Sequence, residues 1–199
     1  MFAPALLSLA LAAGAFAVPA ALSTRQSPCD GLGPGSSDSL AYEFILTVVD
    51  PSTGDGATGP SLALLQGPDS IWWLQETFQS TTEDFSSWNL QNGALIPNPS
   101  SNGVGLVGND FSVPPASIVE FAVTTKGAGN GQAGKTPYCV VTDSEGYATL
   151  AVNGNTQGFA MCYTPGDAAY VLVYEPSADN NGAYDFSTCT SQKVQLLKA

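Results

Sequence analysis

The sequence predicts an all-β protein, and the fold that fits it best is a single β-trefoil-like domain of about twelve short strands. The chain of 199 residues carries 21 Gly and 14 Pro but only 11% charged residues, which is typical of strands joined by turns. No stretch of about a dozen residues has apolar residues at helical spacing without an intervening Gly or Pro. A hairpin pattern also recurs along the chain. A β-sandwich or another small barrel would use the same short strands and is the alternative.

The clearest hairpin lies within residues 85–96. Two apolar runs meet there at Asn92-Gly93, a dipeptide that accepts the positive φ angles of a type I′ turn. Leu90 and Leu95 face each other across this turn, so both side chains can enter one core.

The hairpin pattern returns about 50 residues later, a spacing typical of internal repeats. Val141 leads into a turn at residues 143–146, and Leu150 lies on the returning strand. Three repeats would then begin near Phe44, Leu95 and Leu150. A β-trefoil has this organisation, with three four-stranded units around a pseudo-threefold axis.

Twelve segments have the composition of strands, with β-branched, aromatic or other apolar residues between turn formers. The first reads Phe-Ile-Leu-Thr-Val-Val and is followed by a loop rich in turn formers at residues 50–56. The full set is residues 44–49, 61–65, 71–77, 88–90, 95–96, 104–107, 118–124, 138–142, 148–152, 159–163, 170–175 and 193–197.

Residues 1–17 are predicted to be a signal peptide, because residues 4–16 are almost wholly apolar and Ala15-Phe-Ala17 resembles a cleavage site. The apolar run is too short to remain in a bilayer. Residues 18–41 are expected to form an extended arm held at Cys29, and residues 42–199 to form the β domain. No later segment has the length of a membrane span, so we expect a soluble, secreted, extracellular protein.

The charge and the missing histidine exclude several classes of function. With a net charge of −12 and only five Lys and Arg, the chain lacks the basic face that nucleic acid or an anionic membrane would need. Histidine is absent, which removes the usual Ser-His-Asp and Cys-His catalysis and most zinc sites. We expect no catalytic residue, no metal and no cofactor.

Four cysteines, Cys29, Cys139, Cys162 and Cys189, indicate two disulfides in an exported chain. Three pairings are possible, and the spacing leaves all three open.

A pattern of apolar, Gly and Cys positions runs through the second half of the chain, at residues 88–95, 103–111, 144–154, 158–162, 170–174, 189 and 194–196. Through this pattern, residues 85–197 resemble the fungal cell-wall proteins of the Pir and PhiA type. The resemblance implies a non-catalytic structural protein of the fungal cell wall or extracellular matrix. Its partners would be cell-wall polysaccharide or other wall proteins.

The resemblance also implies that Cys162 pairs with Cys189, and therefore Cys29 with Cys139. The Gln-rich and Asp-Gly-rich repeats through which Pir proteins are attached to glucan are absent from this chain. No attachment residue is therefore predicted.

A carbohydrate-binding, lectin-like module is one alternative function. Trp72 and Trp73 are the candidate sugar-binding residues, because aromatic faces pack on the C–H faces of pyranose rings. Adjacent residues of a strand point to opposite faces, so at most one of the two enters a core on a given face. Further aromatic candidates are Trp88, Tyr170 and Tyr174.

A secreted protease inhibitor is another alternative, and a rigid protruding loop at Pro97–Pro99 or Pro114-Pro115 would favour it. A hydrolase would require a pair of acids facing one cleft at about 5–10 Å. The candidate pairs are Glu83 with Asp84 and Asp143 with Glu145, and acids in turns are usually solvated.

Two loops carry oxygen ligands that calcium could use, at residues 50–55 and 179–182. Neither has the spacing of an EF-hand, and turn chemistry alone explains their Asp, Asn, Ser, Thr and Gly. No metal site is predicted there.

Overall fold

The computed structural model describes residues 27–52, 59–67, 71–77, 84–126, 134–144 and 146–199, without the side chain of Ser86. Within these ranges the chain forms fifteen strands and no helix, which confirms the predicted all-β class. The strands are β1 (Ser36–Ser37), β2 (Phe44–Val49), β3 (Ser61–Gln66), β4 (Ile71–Thr77), β5 (Phe85–Gln91), β6 (Ala94–Pro99), β7 (Leu106–Asp110), β8 (Ser117–Ile118), β9 (Glu120–Thr125), β10 (Tyr138–Thr142), β11 (Ala148–Val152), β12 (Phe159–Thr164), β13 (Ala169–Tyr174), β14 (Asp185–Ser191) and β15 (Lys193–Lys198).

The expected count of about twelve strands is too low by three. β1 and β8 are two residues long, too short to show a pattern, and β8 was expected to be continuous with β9. β14 is a polar strand with mostly exposed side chains, so it lacks the apolar alternation that marks a strand in a sequence.

All ladders between these strands are antiparallel and join them into one sheet. The main order is β1-β10-β11-β15-β2-β3-β4-β13-β12-β14, and β5, β6, β7, β8 and β9 branch from it. β15 pairs with β2 from Lys193–Val49 to Lys198–Phe44, so the C-terminal strand lies inside the sheet beside the first long strand.

The predicted hairpin at Asn92-Gly93 is present between β5 and β6. Asn92 has φ 50° and Gly93 φ 79°, the positive angles that a type I′ turn needs. Leu90 pairs with Leu95, and both side chains are fully buried.

The second predicted turn connects β10 to β11. The Gly146 N–H donates to the Asp143 carbonyl at 3.2 Å. Val141 then pairs with Thr149, one step beyond the fully buried pair Val140 and Leu150.

The described residues form two clusters of buried side chains. The main core includes the three residues at which repeats were expected to begin, Phe44, Leu95 and Leu150. The second, smaller cluster surrounds Cys162 on the other face of β12 and β13 and includes Tyr184. Both clusters result from the alternation of side chains along the strands, because neighbouring residues point to opposite faces of the sheet.

Two disulfides cross-link the fold, Cys29–Cys139 and Cys162–Cys189. This is the pairing that the resemblance to Pir and PhiA proteins implies. The first spans 110 residues and ties the segment before β1 to β10. The second joins β12 to β14 and holds the polar strand on the sheet.

The segment expected to be an extended arm is described from residue 27 onward. It makes a turn in which the Asp30 N–H donates to the Ser27 carbonyl at 3.0 Å, and then pairs with β10 through β1. The predicted signal peptide, residues 1–17, lies outside the described residues. Among the described residues, no helix has the length and apolarity to cross a membrane.

Candidate functional site

Trp72 and Trp73 lie side by side on β4 and point to opposite faces of the sheet. Trp72 packs against the main core, with its ring edge-on to Phe85 at 5.8 Å between centroids. Trp73 packs against the second cluster, and a Cβ added at Gly67 would stand 2.9 Å from its indole ring. Both side chains are half-buried, so packing is at least part of their role.

Glu120 of β9 is the cross-strand partner of Trp73 in the ladder between β4 and β9. Burial raises the pKa of the Glu120 carboxyl, and the nearby Trp73 indole N–H opposes that rise. The buried indole nitrogen lies beside the carboxylate without completing a well-aligned hydrogen bond.

The other aromatic candidates separate into core and surface residues. Trp88 and Tyr174 are each 3% exposed, and Trp88 packs on Phe121 with 5.3 Å between ring centroids. Tyr170 is 42% exposed and packs against Tyr163 of the neighbouring strand at 5.5 Å. Tyr170 is therefore the candidate aromatic with the most open ring.

The two candidate acid pairs are each described through one member, because Glu83 and Glu145 lie outside the described residues. The carbonyl of Asp84 accepts a backbone hydrogen bond from Ser100 at 2.8 Å. The Asp143 carboxylate accepts one from the Tyr147 N–H at 2.8 Å and lines an open cleft.

The candidate calcium loops form side-chain-stabilised turns. The Asp50 carboxylate accepts hydrogen bonds from the Ser52 hydroxyl at 2.6 Å and N–H at 2.7 Å, and these lower its pKa. Residues 53–58 lie outside the described part. In the other loop, Asn180 Oδ1 accepts from the Gly182 N–H at 2.9 Å. The described residues contain no group of three or more His, Cys, Asp or Glu that could hold a metal.

One of the two proline loops expected of an inhibitor is not a loop. Pro97–Pro99 belongs to β6, with Pro97 buried opposite Trp88. Pro114 and Pro115 are exposed in the turn before β8, where the Pro114 carbonyl accepts from the Ser117 hydroxyl at 2.7 Å.

An open cleft of about 480 Å³ lies on the side of β10, β11 and β15 that faces away from the main core. Alternation explains its position: Val140, Leu150 and Val194 point into the core, so their neighbours Val141, Thr149 and Lys193 point outward. We call this the β10–β11–β15 cleft. Its lining is Pro51, Val141, Asp143, Thr149, Thr156, Gln157, Gln192 and Lys193.

Two loops complete the walls of the β10–β11–β15 cleft. After β11 the chain turns at Gly154, with φ 79°, and Asn155 Oδ1 accepts from the Gln157 N–H at 2.8 Å. On the other side the Gln192 N–H donates to the Phe159 carbonyl at 2.9 Å. The backbone at both glutamines is thus fixed, and the side-chain amide of Gln192 also donates to the Thr190 hydroxyl at 3.4 Å.

Sequence reasoning singled out Asp143 and missed the other lining residues. They come from five separate segments of the chain, and scattered Thr and Gln residues form no motif. The outward positions of strands were predictable, but the loops that rise beside them were not.

Among the described carboxyl groups, the one whose pKa is raised furthest is Asp110, at the end of β7, where it is 4% exposed. It accepts a hydrogen bond from the Leu95 N–H at 3.1 Å, and a Cβ added at Gly134 would collide with its Oδ1. Burial raises the pKa of Asp110 to about 7, although the backbone N–H groups of Leu95, Asp110 and Lys135 oppose the rise. No motif pointed to this residue.

Tyr138 is a fully buried phenol of the main core that is influenced by the charge on Asp110. Burial, and the charge on Asp110, raise the pKa of its phenol well above the ordinary value. The hydroxyl is fully buried and makes no hydrogen bond to the described residues. Both side chains are buried, with 4% of Asp110 and 0% of Tyr138 exposed.

Comparisons with protein-family models, with curated proteins and with solved structures found no match to this chain. We therefore infer the roles of the β10–β11–β15 cleft and of the buried Asp110 carboxyl from the chemistry of the residues at each site.

Proposed function

We propose that the protein is a non-catalytic, secreted structural protein of the fungal cell wall or extracellular matrix. The observation that carries the proposal is the pair of disulfides, which cross-link a body built of antiparallel strands. Disulfides of this kind persist in oxidising compartments outside the cytosol. The resemblance of residues 85–197 to Pir and PhiA proteins supports the fungal wall as the location.

The proposed scaffold is a β-trefoil, and the strand spacing supports it. Strands that would open the three repeats begin at residues 44, 94 and 148, and the third strands begin at 71, 120 and 169. Each repeat would contribute one inner hairpin, from the pairs β3–β4, β7–β9 and β12–β13. β4 pairs with both β9 and β13, as expected if the three hairpins meet around one axis. β1, β8 and β14 would be additions to the twelve-strand plan.

The proposed role is that of a rigid acidic body that associates with wall polysaccharide or with other wall proteins. Each described strand is paired with at least one other strand in an antiparallel ladder. A disulfide that spans 110 residues also restricts local opening. Both features would protect a protein exposed to extracellular proteases.

A lectin-like function is the second candidate, and the β10–β11–β15 cleft favours it. Its four neutral polar side chains could donate hydrogen bonds to sugar hydroxyls and accept them. A structural protein that binds polysaccharide and a lectin differ in whether binding is saturable and stereospecific, which a direct measurement decides.

The proposal is tested by expressing the tagged full-length chain in a filamentous fungus and fractionating the culture. We expect the protein in the medium and in the wall fraction, with no free thiol. A reduced protein retained inside the cell would contradict the proposal.

A pull-down on insoluble chitin and β-glucan complements the fractionation. Trp72→Ala and Trp73→Ala are the matched variants, and circular dichroism establishes whether each remains folded. Binding lost in one folded variant would assign the contact to that indole. Binding retained in both would place the contact elsewhere on the surface.

A further inference from the structure

We propose that the β10–β11–β15 cleft binds a short segment of a neutral polysaccharide. The inference rests on the proposed association with wall polysaccharide and adds to it the place of binding and the class of ligand. Its basis is the set of polar groups that the fold brings to the outward side of three strands.

The hydrogen-bonding groups of the cleft match those of a polyol. Thr149, Thr156, Gln157 and Gln192 carry two hydroxyls and two amides, all of which can both donate and accept. Sugar hydroxyls have the same double capacity. A ligand that only accepts hydrogen bonds, such as a phosphate, would leave the acceptor oxygens of these four side chains unused.

The charges at the cleft favour a neutral ligand. Asp143 and Lys193 contribute one carboxylate and one ammonium, so the formal charges of the lining cancel. The chain as a whole carries −12, which disfavours the approach of an anionic ligand. A neutral glycan is repelled neither by the charges of the cleft lining nor by the net charge of the chain.

The size and the apolar groups of the cleft suit a chain of a few sugar rings. Its volume of about 480 Å³ falls within the range of ~300–1,000 Å³ typical of small-ligand sites. Pro51 and Val141 supply apolar surface against which the C–H face of a pyranose can pack.

The site is largely preorganised. Val141 and Thr149 are cross-strand partners in the ladder between β10 and β11. Lys193 is held opposite Val49 in the ladder between β15 and β2. The Gln192 amide already donates to the Thr190 hydroxyl at 3.4 Å. Binding would therefore order mainly the side-chain amide of Gln157, and little backbone entropy would be lost.

The test is isothermal titration of the intact, disulfide-bonded protein with two neutral hexasaccharides, laminarihexaose and chitohexaose. An anionic hexamer of galacturonic acid serves as the comparison ligand. We expect saturable binding of at least one neutral hexasaccharide and none of the anionic one. The double variant Gln157→Ala, Gln192→Ala should bind about tenfold to a hundredfold more weakly, because two hydrogen-bonding amides are lost.

The matched control is Gln91→Ala, which removes an exposed glutamine at the end of β5, outside the cleft lining. It should bind the hexasaccharide as the unmodified protein does. The absence of saturable binding by the folded protein would overturn the inference. Equal affinity in the double variant and the unmodified protein would overturn it too, and so would tighter binding of the anionic hexamer.

Failure of this inference is separable from failure of the proposed function. If the protein fractionates with the wall but binds neither neutral hexasaccharide, the cleft is not the site and the structural role stands. If the protein is found in neither the medium nor the wall, the structural role is wrong whatever the cleft binds.

Discussion

Replacing Asp110 with asparagine should remove most of one specific pH dependence from the stability of the protein. Burial raises the pKa of this carboxyl from 3.8 to about 7 in the folded state. The folded protein therefore holds a proton that the unfolded chain releases near pH 4. The stabilisation is complete below pH 3.8 and is lost as the pH rises towards 7.

The size of the effect follows from the two pKa values. At about 1.4 kcal/mol per pKa unit, a rise from 3.8 to about 7 corresponds to about 4 kcal/mol of unfolding free energy. Asparagine is neutral at every pH and nearly isosteric, and its carbonyl can still accept the hydrogen bond from the Leu95 N–H. The Asp110→Asn variant should thus lack this loss of stability between pH 4 and pH 7.

Urea unfolding with the disulfides intact, followed by tryptophan fluorescence from pH 3.5 to 8, measures the difference between the two proteins. The other carboxylates titrate in both, so the difference isolates Asp110. Asp167→Asn, at an exposed turn position, is the control for the chemical change from carboxylate to amide itself. Parallel curves for Asp110→Asn and the unmodified protein across this range would refute the reasoning.

Three further predictions concern stability. Trp88→Ala removes a 3%-exposed ring from the main core and should lower the unfolding free energy by about 3–5 kcal/mol in urea unfolding; an effect below 1 kcal/mol would contradict a packed core there. Gly93→Ala places a side chain at φ 79°, with its Cβ 2.9 Å from a backbone oxygen. It should lower the unfolding free energy by about 1–2 kcal/mol. Gly166→Ala, which has open space around the new Cβ, is the control and should lower it much less. Replacing Cys29 and Cys139 together by serine removes a cross-link over 110 residues and should lower the thermal midpoint through about 5 kcal/mol of lost chain restriction. An unchanged midpoint would show that the bond adds no stability.

Local turn chemistry made the β5–β6 hairpin predictable. Asn92-Gly93 both accepts positive φ angles and lies between apolar runs in the register that buries Leu90 and Leu95. The polar strand β14 was missed because its pairing depends on the Cys162–Cys189 bond and on contacts distant in the sequence.

Prolines at residues 97 and 99 were misleading for a different reason. Proline lacks the N–H that a central strand must donate, which favours a loop in a sequence-based reading. β6, however, has its described ladder with β5 alone, so an absent donor on its other side is tolerated. Pro97 then contributes apolar surface opposite Trp88.

The buried Asp110 and the β10–β11–β15 cleft were beyond sequence reasoning because both are tertiary features. The sequence around Asp110 does not indicate that its side chain is buried. The Leu95 N–H that donates a hydrogen bond to it lies 15 residues earlier in the chain. The perturbation of its pKa follows from desolvation by the whole core.

The alternation of β10, β11 and β15 assigns the core and the cleft to different residues of the same strands. Their inward residues, such as Val140 and Leu150, are fully buried and hold the core together. Their outward neighbours Val141 and Thr149 line the cleft and can vary without leaving a cavity in the core. A substitution at Thr149 should therefore change ligand binding with little change in stability, while one at Leu150 should do the reverse. One ladder can in this way serve both as a rigid scaffold and as the floor of a binding site.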